Sequence, residues 1–312
     1  MNRDKFCNLH VHTDASIGDS IIKVPDLIKV LKEYGQGYCA ITDHSSLMNH
    51  YAFQQECSKN NVKFLLGNEL YCKKDYSKPD NKDRYHLVLI AMNQKGLENI
   101  RKIQRISVSD HFYYKPLTPH PLIFENTEGV FCSTACALSY INNQFLQGND
   151  EEAYDFFGKL LDAFGKDNVA IELQYHPTWK NEKGEYPQNY LNEKLIEMYY
   201  DMDAKWLINT FDSHVLTDKD RILRKKIQSI NWKRPESEIN DTLKSNVLGT
   251  SELSFNFAHE SGIEDDKLIQ KCIDNTYEIA EKCYFKPETH GRVIPKFTQH
   301  KHFKEIFLKK VV

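Results

Sequence analysis

The chain has 312 residues, of which 40% are hydrophobic and 12% aromatic, enough for a sizeable packed core. A net charge of −3 gives no global attraction to nucleic acid, so any such contact must be local. No apolar run is long enough to span a bilayer, and Met1–Lys5 lacks the apolar core of a signal peptide, so a cytoplasmic protein without membrane contact is expected.

In chain order, Phe6–Val11 reads as an apolar strand ending in His10-Val11-His12. Alternate strand residues share a face, so the two imidazoles project together, and Asp19 follows in a polar loop with Gly18. Two imidazoles and a carboxylate suit a divalent metal such as zinc or manganese; two surface histidines are the competing reading. Pro25–Tyr34 has helical periodicity, with Pro near its start and Gly35 and Gly37 after its end. Tyr38–Thr42 is a short buried strand running into Asp43-His44, and a helix follows over about 47–59. Val62–Tyr71 and Arg84–Met92 are strands, with Glu69 late in the first and His86 early in the second. Gln94–Ser107 is a helix.

From 110 to 121 three prolines and several aromatics break the pattern, giving a loop that could act as a lid. His111, Tyr113 and Tyr114 there could stack on bases, but packing the loop down is the reading adopted. Gly129–Thr134 is a strand leading to Cys136, helices cover 139–146 and 151–164, and Asn168–Gln174 is a strand before His176. A helix at 189–200 and a strand at Trp206–Asn209 lead to Asp212 and His214.

Strands alternating with helices imply an α/β fold, here a distorted (β/α)7 TIM-like barrel. His10, His12, His44, Glu69, Cys136, Asp212 and His214 all lie at or just past strand C-terminal ends, the face where such barrels assemble sites. His86 fits only if its strand runs against its neighbours or its boundary is misplaced. Residues 221–234 hold six Lys or Arg and no acid, read as a solvated helix face. Residues 235–262 look irregular, 265–283 helical, and the tail basic. The expected division is a barrel core at 1–220 and a C-terminal extension at 221–312. The eight cysteines are too sparse for a disulfide scaffold and are read as buried thiols, one of them a candidate metal ligand.

These motifs together resemble the PHP (polymerase and histidinol phosphatase) superfamily, and especially the PHP domain that begins bacterial replicative DNA polymerase III alpha subunits. The likeness is carried by His10-Val11-His12-Thr13 with Ser16 and Asp19, Ala40-Ile41-Thr42-Asp43-His44, and Leu66-Gly67-Asn68-Glu69-Leu70-Tyr71. It continues through His86–Asn99, Gly129–Cys136, Ile171-Glu172-Leu173-Gln174, Asn209–His214, Ala280–Cys283 and Ile294–Phe297, covering about 6–297. The family's Asp-Gly is Gly18-Asp19-Ser20 here, and its Gly-Asn after the Asp-His is Ser45-Ser46. The chain ends at Val312, where the family's palm would begin, so it is not expected to polymerise by itself.

The resemblance implies three divalent ions (Zn, Mn or Fe) held by His10, His12, Asp19, His44, Glu69, His86, Cys136, Asp212 and His214. Glu69 would bridge, and a Cys136 thiolate would favour zinc. His10, His12, Glu69 and Asp212 are the expected catalytic residues. Arg84 and His176 are the substrate-binding candidates; Arg84, like Lys73 and Lys74, reads first as ordinary surface charge, and His176 reads equally as a surface histidine before a proline. Asp43 could orient a ligand or simply start a helix. Three functions fit: a 3′–5′ exonuclease on DNA 3′ ends, working with a separate polymerase; a phosphatase for small phosphate monoesters of the histidinol-phosphate type; and a non-catalytic domain bracing a polymerase.

Overall fold

A computed structural model describes residues 4–77, 84–176, 187–239 and 245–288. The elements run α1 (Val24–Glu33), β1 (Tyr38–Ile41), α2 (His50–Asn60), β2 (Lys63–Lys73), β3 (Tyr85–Ala91) and α3 (Gln94–Asp110). Next come β4 (Phe112–Tyr113), β5 (Lys115–Pro116), β6 (Thr118–Pro119), α4 (His120–Phe124), β7 (Val130–Ser133), α5 (Tyr140–Leu146), α6 (Asp150–Phe164) and β8 (Val169–Gln174). The last are α7 (Pro187–Asp201), β9 (Trp206–Thr210), α8 (Arg221–Trp232), α9 (Ser251–Glu260) and α10 (Asp266–Cys283).

The main sheet has the order β1-β2-β3-β7-β8-β9 and curls strongly. Its two edges meet through the N-terminal segment. Asn8 bridges Cys39 of β1, and Val11 bridges Ser213 just beyond β9. The Ala40 amide donates to the Asn8 carbonyl (2.8 Å), the His12 amide to the Ser213 carbonyl (2.9 Å), and the Ser213 amide to the His10 carbonyl (3.1 Å). The expected Phe6–Val11 strand is therefore no continuous ladder. The segment shares its backbone groups between two edges, and this closes a distorted α/β barrel. Buried apolar side chains fill the sheet faces, as continuous runs such as Tyr38–Ile41 and Val130–Ser133 require when both sides are covered.

β3 is antiparallel to both β2 and β7, whereas β1–β2, β7–β8 and β8–β9 are parallel. This resolves the position of His86. The start of an antiparallel strand lies at the same end of the sheet as the finish of its neighbours, and His86 pairs with Tyr71 near the end of β2.

Two further expectations are corrected. The 110–121 stretch is not a plain loop: β4 and β5 form a tight hairpin, and β6 pairs with the end of β2. Nor do its aromatics all pack down, since Phe112 and Tyr114 are 60% and 76% exposed. Within 235–262, thought irregular, lies α9, with Thr250 capping the Leu253 amide. Its fully buried positions are only Ser254 and Ala258, so it carries little apolar periodicity. α10 follows the expected helix and packs on β9, where Asn275 donates to the Leu207 carbonyl (2.8 Å). The Ile294–Phe297 motif and the basic tail lie outside the described residues. All eight cysteines are buried free thiols. Among the described residues no helix is long and apolar enough to cross a membrane.

Two stability predictions arise here. A Cβ on Gly96, in the first turn of α3, would sit 1.7 Å from the Gly129 carbonyl oxygen. Gly96→Ala is expected to destabilise the chain by about 3 kcal/mol, since backbone must move. Gly37→Ala, with open space around it, should be near neutral by the same urea-unfolding measurement. The second concerns His120, buried against Phe156 and Tyr140 (ring centroids 4.6 and 5.4 Å). Burial, with Lys74 and Lys159 nearby, pushes its imidazole down to about 4. The unfolded chain takes up that proton near the ordinary value while the folded chain does not. Stability is therefore fully present above about pH 6.5 and falls as the pH drops toward 4. Between pH 7 and pH 5 the wild type should lose about 2 kcal/mol more than His120→Phe; parallel losses would refute the assignment.

Candidate metal centre

The C-terminal face of the barrel gathers the nine donors the sequence singled out, with Glu69 at their middle. Its carboxylate is fully buried. Oε1 lies 3.2 Å from His10 Nε2 and 3.0 Å from His86 Nδ1. Oε2 lies 3.3 Å from His12 Nε2 and 2.7 Å from His44 Nδ1. Asp212 Oδ1 faces His10 Nε2 and His12 Nε2 at 3.3 and 3.1 Å. Asp19 Oδ2 is 3.3 Å from both His44 Nε2 and His214 Nε2. Cys136 Sγ closes the far side, 3.4 Å from His86 Nδ1 and 3.9 Å from Glu69 Oε1.

The donors fall into three overlapping groups: His12, His44 and His214; His10, His12, Glu69 and Asp212; and His44, Glu69 and His86. Within each group the ligand atoms lie within 4.8 Å of one another. His10 Nε2, His12 Nε2, His44 Nδ1, His214 Nε2, Glu69 Oε2 and Asp212 Oδ1 are all buried without a hydrogen-bond partner. Orphaned polar atoms converging on shared points would be costly in a finished core. Cations would satisfy them, so the donor set fits divalent metal. Imidazole with carboxylate suits zinc, manganese or iron.

A surrounding layer fixes which nitrogen of His10, His12 and His214 faces inward. His10 Nδ1 donates to Glu172 Oε1 at 2.7 Å, leaving Nε2 for the centre. Glu172, on β8, is itself held by Ser133, Thr210 and Gln174. His12 Nδ1 donates to Ser16 Oγ (3.0 Å), and Ser16 donates to Asp43 Oδ1 (2.8 Å). Asp43 also takes the Thr13 amide and hydroxyl, so it orients His12 through Ser16, and not its own neighbour His44. His214 Nδ1 donates to the Asp212 carbonyl (2.7 Å). Asp212 adopts φ +46°, a strained left-handed backbone that turns its carboxylate back into the site.

Electrostatics follow the same pattern. Burial works against charge on His10, but the carboxylates of Glu172, Glu69 and Asp212 outweigh it and hold the imidazole well above its ordinary value. Burial likewise opposes charge on His44, yet Glu69 and Asp19 raise it to about 9. Glu69 is held well below the usual carboxylate range by His86, His10 and His44 despite its burial. Burial lowers His214 to about 4, with Arg224 adding to the effect. Burial, then Glu69 and Asp212, push the Cys136 thiol well up, so only a cation would draw out its thiolate.

The basic 221–234 stretch is more than a solvated face. On α8, Arg224 donates to the Asp19 carbonyl and to Asp19 Oδ1, both at 2.9 Å, and Gln228 donates to the same Oδ1 at 2.9 Å. Asp19 thus splits its carboxylate, with Oδ1 held by α8 and Oδ2 left facing His44 and His214. Nothing in the local sequence marks Arg224 or Gln228, because their target lies about 200 residues earlier. Glu172 had a signal, the Glu-Leu-Gln motif at a strand end, but that alone gave it no role.

Above the donors opens a cleft of about 600 Å³. Arg84 lines it, and its Nε is buried without a hydrogen-bond partner. His176 is placed differently from the expectation. It is buried, with Nδ1 against Ser245 Oγ and Nε2 3.1 Å from Gln174 Oε1, and it does not line the cleft. Burial lowers its imidazole to about 4. With both ring nitrogens engaged it has no free nitrogen to offer a substrate, contrary to the substrate-binding role expected of it. Lys73 donates to the Ser77 carbonyl (2.9 Å), and Lys74 lies 3.7 Å from Glu152.

Comparison with known proteins agrees with this geometry. A DNA polymerase III subunit alpha from Borreliella burgdorferi is 30% identical over 301 residues, 95% of this chain and 25% of its own length. The same-named protein of Aquifex aeolicus is 32% identical over 250 residues, 77% of this chain and 21% of its own. The chain thus spans about a quarter of the length of these curated relatives. The PHP domain family matches residues 8–176, which hold every one of the nine donors except Asp212 and His214. On that match over more than half its length, the chain belongs to the PHP domain family.

Proposed function

We propose that this chain is a metal-dependent phosphoesterase, a 3′–5′ exonuclease acting on DNA ends in association with a replicative polymerase. The observation that carries the reading is the set of three overlapping donor groups, with Asp19, His44 and His86 lining a cleft whose rim is apolar and exposed. Ile17, Tyr114, Leu138 and Trp232 line that cleft at 79%, 76%, 60% and 48% exposure. Such a rim suits bases at the end of a strand better than a small polar monoester, which needs enclosure. The similarity to DNA polymerase III alpha subunits supports a replicative setting.

In this reading His10, His12, Asp19, His44, Glu69, His86, Cys136, Asp212 and His214 would hold three ions of Zn, Mn or Fe, with Glu69 offering the central carboxylate. When bound, the ions supply Lewis acidity toward water and phosphoryl oxygens. The chain's own residues do the rest. Glu172 holds His10 with Nδ1 protonated, and Ser16 does so for His12, so both Nε2 atoms face the centre. His10, His12, Glu69 and Asp212 surround the reacting atoms. Arg84 meets phosphoryl oxygens through its guanidinium, whose buried Nε has no hydrogen-bond partner. Residues 1–220 form the catalytic barrel, and the 221–312 extension contributes Arg224 and Gln228, which hold Asp19.

The test offers 5′-labelled single-stranded DNA and p-nitrophenyl phosphate to the Mn²⁺- or Zn²⁺-loaded chain, beside a His10→Ala, His12→Ala variant. Ladders shortening from the 3′ end, absent in the variant, are expected. Turnover of the monoester with intact DNA would replace the exonuclease with a small-molecule phosphatase. Bound metal with neither activity would leave a bracing domain.

A further inference from the structure

The β4–β5 hairpin forms part of the wall of the cleft beside His44 and His86. It contributes Tyr114, Lys115 and Pro116 to the cleft wall. Lys115 is exposed, and its Nζ donates to Tyr71 Oη at 2.6 Å. It also stands 4.2 Å from the centre of the Tyr71 ring. Tyr71 in turn stacks on His44, with ring centroids 5.2 Å apart and planes 19° from parallel. The ammonium is thus layered over a candidate metal ligand. Among the described residues it has no carboxylate partner, whereas Arg224, on α8, is paired with Asp19. A cation left without an anion beside a site that would receive phosphate is the piece phosphoester chemistry needs.

Tyr114 carries a second signal. It is the single residue between the paired Tyr113 and Lys115, and its φ is +58°. A bulky side chain in this left-handed region costs stability, and the turn would favour glycine or asparagine. Burial does not compensate, since the ring is 76% exposed. Its one ring contact is an edge-on approach to the neighbouring Tyr113 (centroids 4.7 Å), and a strained residue that returns so little packing points to a use outside the fold. An exposed ring beside a phosphate-seeking cation matches how single-stranded nucleic acids are held, with a base on an aromatic face and backbone on a positive charge.

We propose that the β4–β5 hairpin is the grip for a nucleotide end, with Lys115 contacting the phosphoryl oxygens of the scissile phosphate and Tyr114 stacking on the adjoining base. This rests on the phosphoesterase reading of the centre, but it makes a claim about binding that hydrolysis does not decide. Lys115 neutralises charge that grows on the phosphoryl oxygens, and Tyr114 sets which residue of the strand lies over the donors.

The experiment measures the affinity of the Mn²⁺-loaded chain for inorganic phosphate and for a single-stranded oligothymidylate, with unfolding midpoints recorded for each variant. Lys115→Met should weaken phosphate binding tenfold or more with metal content unchanged, and Lys115→Arg should restore most of it. Tyr114→Gly should weaken oligothymidylate about tenfold, leave phosphate binding within twofold, and keep or raise the unfolding midpoint because the strain is relieved. Phosphate binding untouched by Lys115→Met would overturn the cation's role. Oligothymidylate binding untouched by Tyr114→Gly, or a lowered midpoint, would overturn the stacking role and leave Tyr114 as a packing residue. If both variants behave as expected while the wild type leaves DNA intact, the grip stands and the exonuclease reading falls.

Discussion

Glu69→Gln is expected to strip most metal from the chain and to reduce phosphoester turnover about a thousandfold or more. The carboxamide keeps the shape of the side chain but loses one oxygen and the charge. Glu69 touches the imidazoles of His10, His12, His44 and His86 at 2.7–3.3 Å; it belongs to two of the three donor groups and lies against two imidazoles of the third. Its burial removes the alternative of water as a stand-in ligand. Metal content by elemental analysis should fall in step with activity. Stability gives an independent readout. Metal at a hundred times its dissociation constant stabilises the wild-type fold by about 2.7 kcal/mol, and the variant should gain little. A variant that kept its metal and its activity would remove Glu69 from the centre.

Glu172→Ala is expected to have the next largest effect, and to act on both stability and metal. Glu172 accepts from His10 Nδ1 at 2.7 Å and from Gln174 Nε2 at 3.1 Å, and also from the Ser133 and Thr210 hydroxyls. Truncation leaves these buried donors facing a void, at a cost of about 3–5 kcal/mol. It also frees His10 to rotate or change tautomer, which should weaken metal binding by about 10–100-fold. Glu172→Gln separates the two effects. It refills the space and keeps an acceptor oxygen, so most stability should return while metal affinity stays reduced. Equal metal affinity in wild type and both variants would show that Glu172 only packs β8.

The two expectations differ in how far they could be read from the chain itself. Glu69 stood out because it lies late in an apolar strand and belongs to the Leu66–Tyr71 motif. Glu172 lies in a motif too, yet its partner His10 is 162 residues away, and nothing in the motif says which imidazole it meets. The same distance hid Arg224 and Gln228. Their segment is locally basic, and a basic helix facing solvent has the same composition as one reaching for a carboxylate. His176 failed in the opposite sense. Its place after a strand end resembled that of the donors, but Ser245, from a segment with no pattern of its own, folds over it and takes its Nδ1.

The sequence by itself determined the kind of donors and the strand ends that carry them. Imidazoles, carboxylates and a thiol at the ends of short apolar runs are a local pattern, and local patterns survive in one dimension. It also determined most helices, since α1, α3, α6 and α10 bury apolar residues at helical spacing. The tertiary structure alone decided the direction of β3, the closing of the barrel by residues 8–12, and the layer of Glu172, Ser16, Asp43 and Arg224 behind the donors. Strand direction leaves no trace in a run buried on both faces. Pairing across the barrel is set by which edges meet after the chain has collapsed. Buried polar groups then find partners by proximity in space, not in sequence.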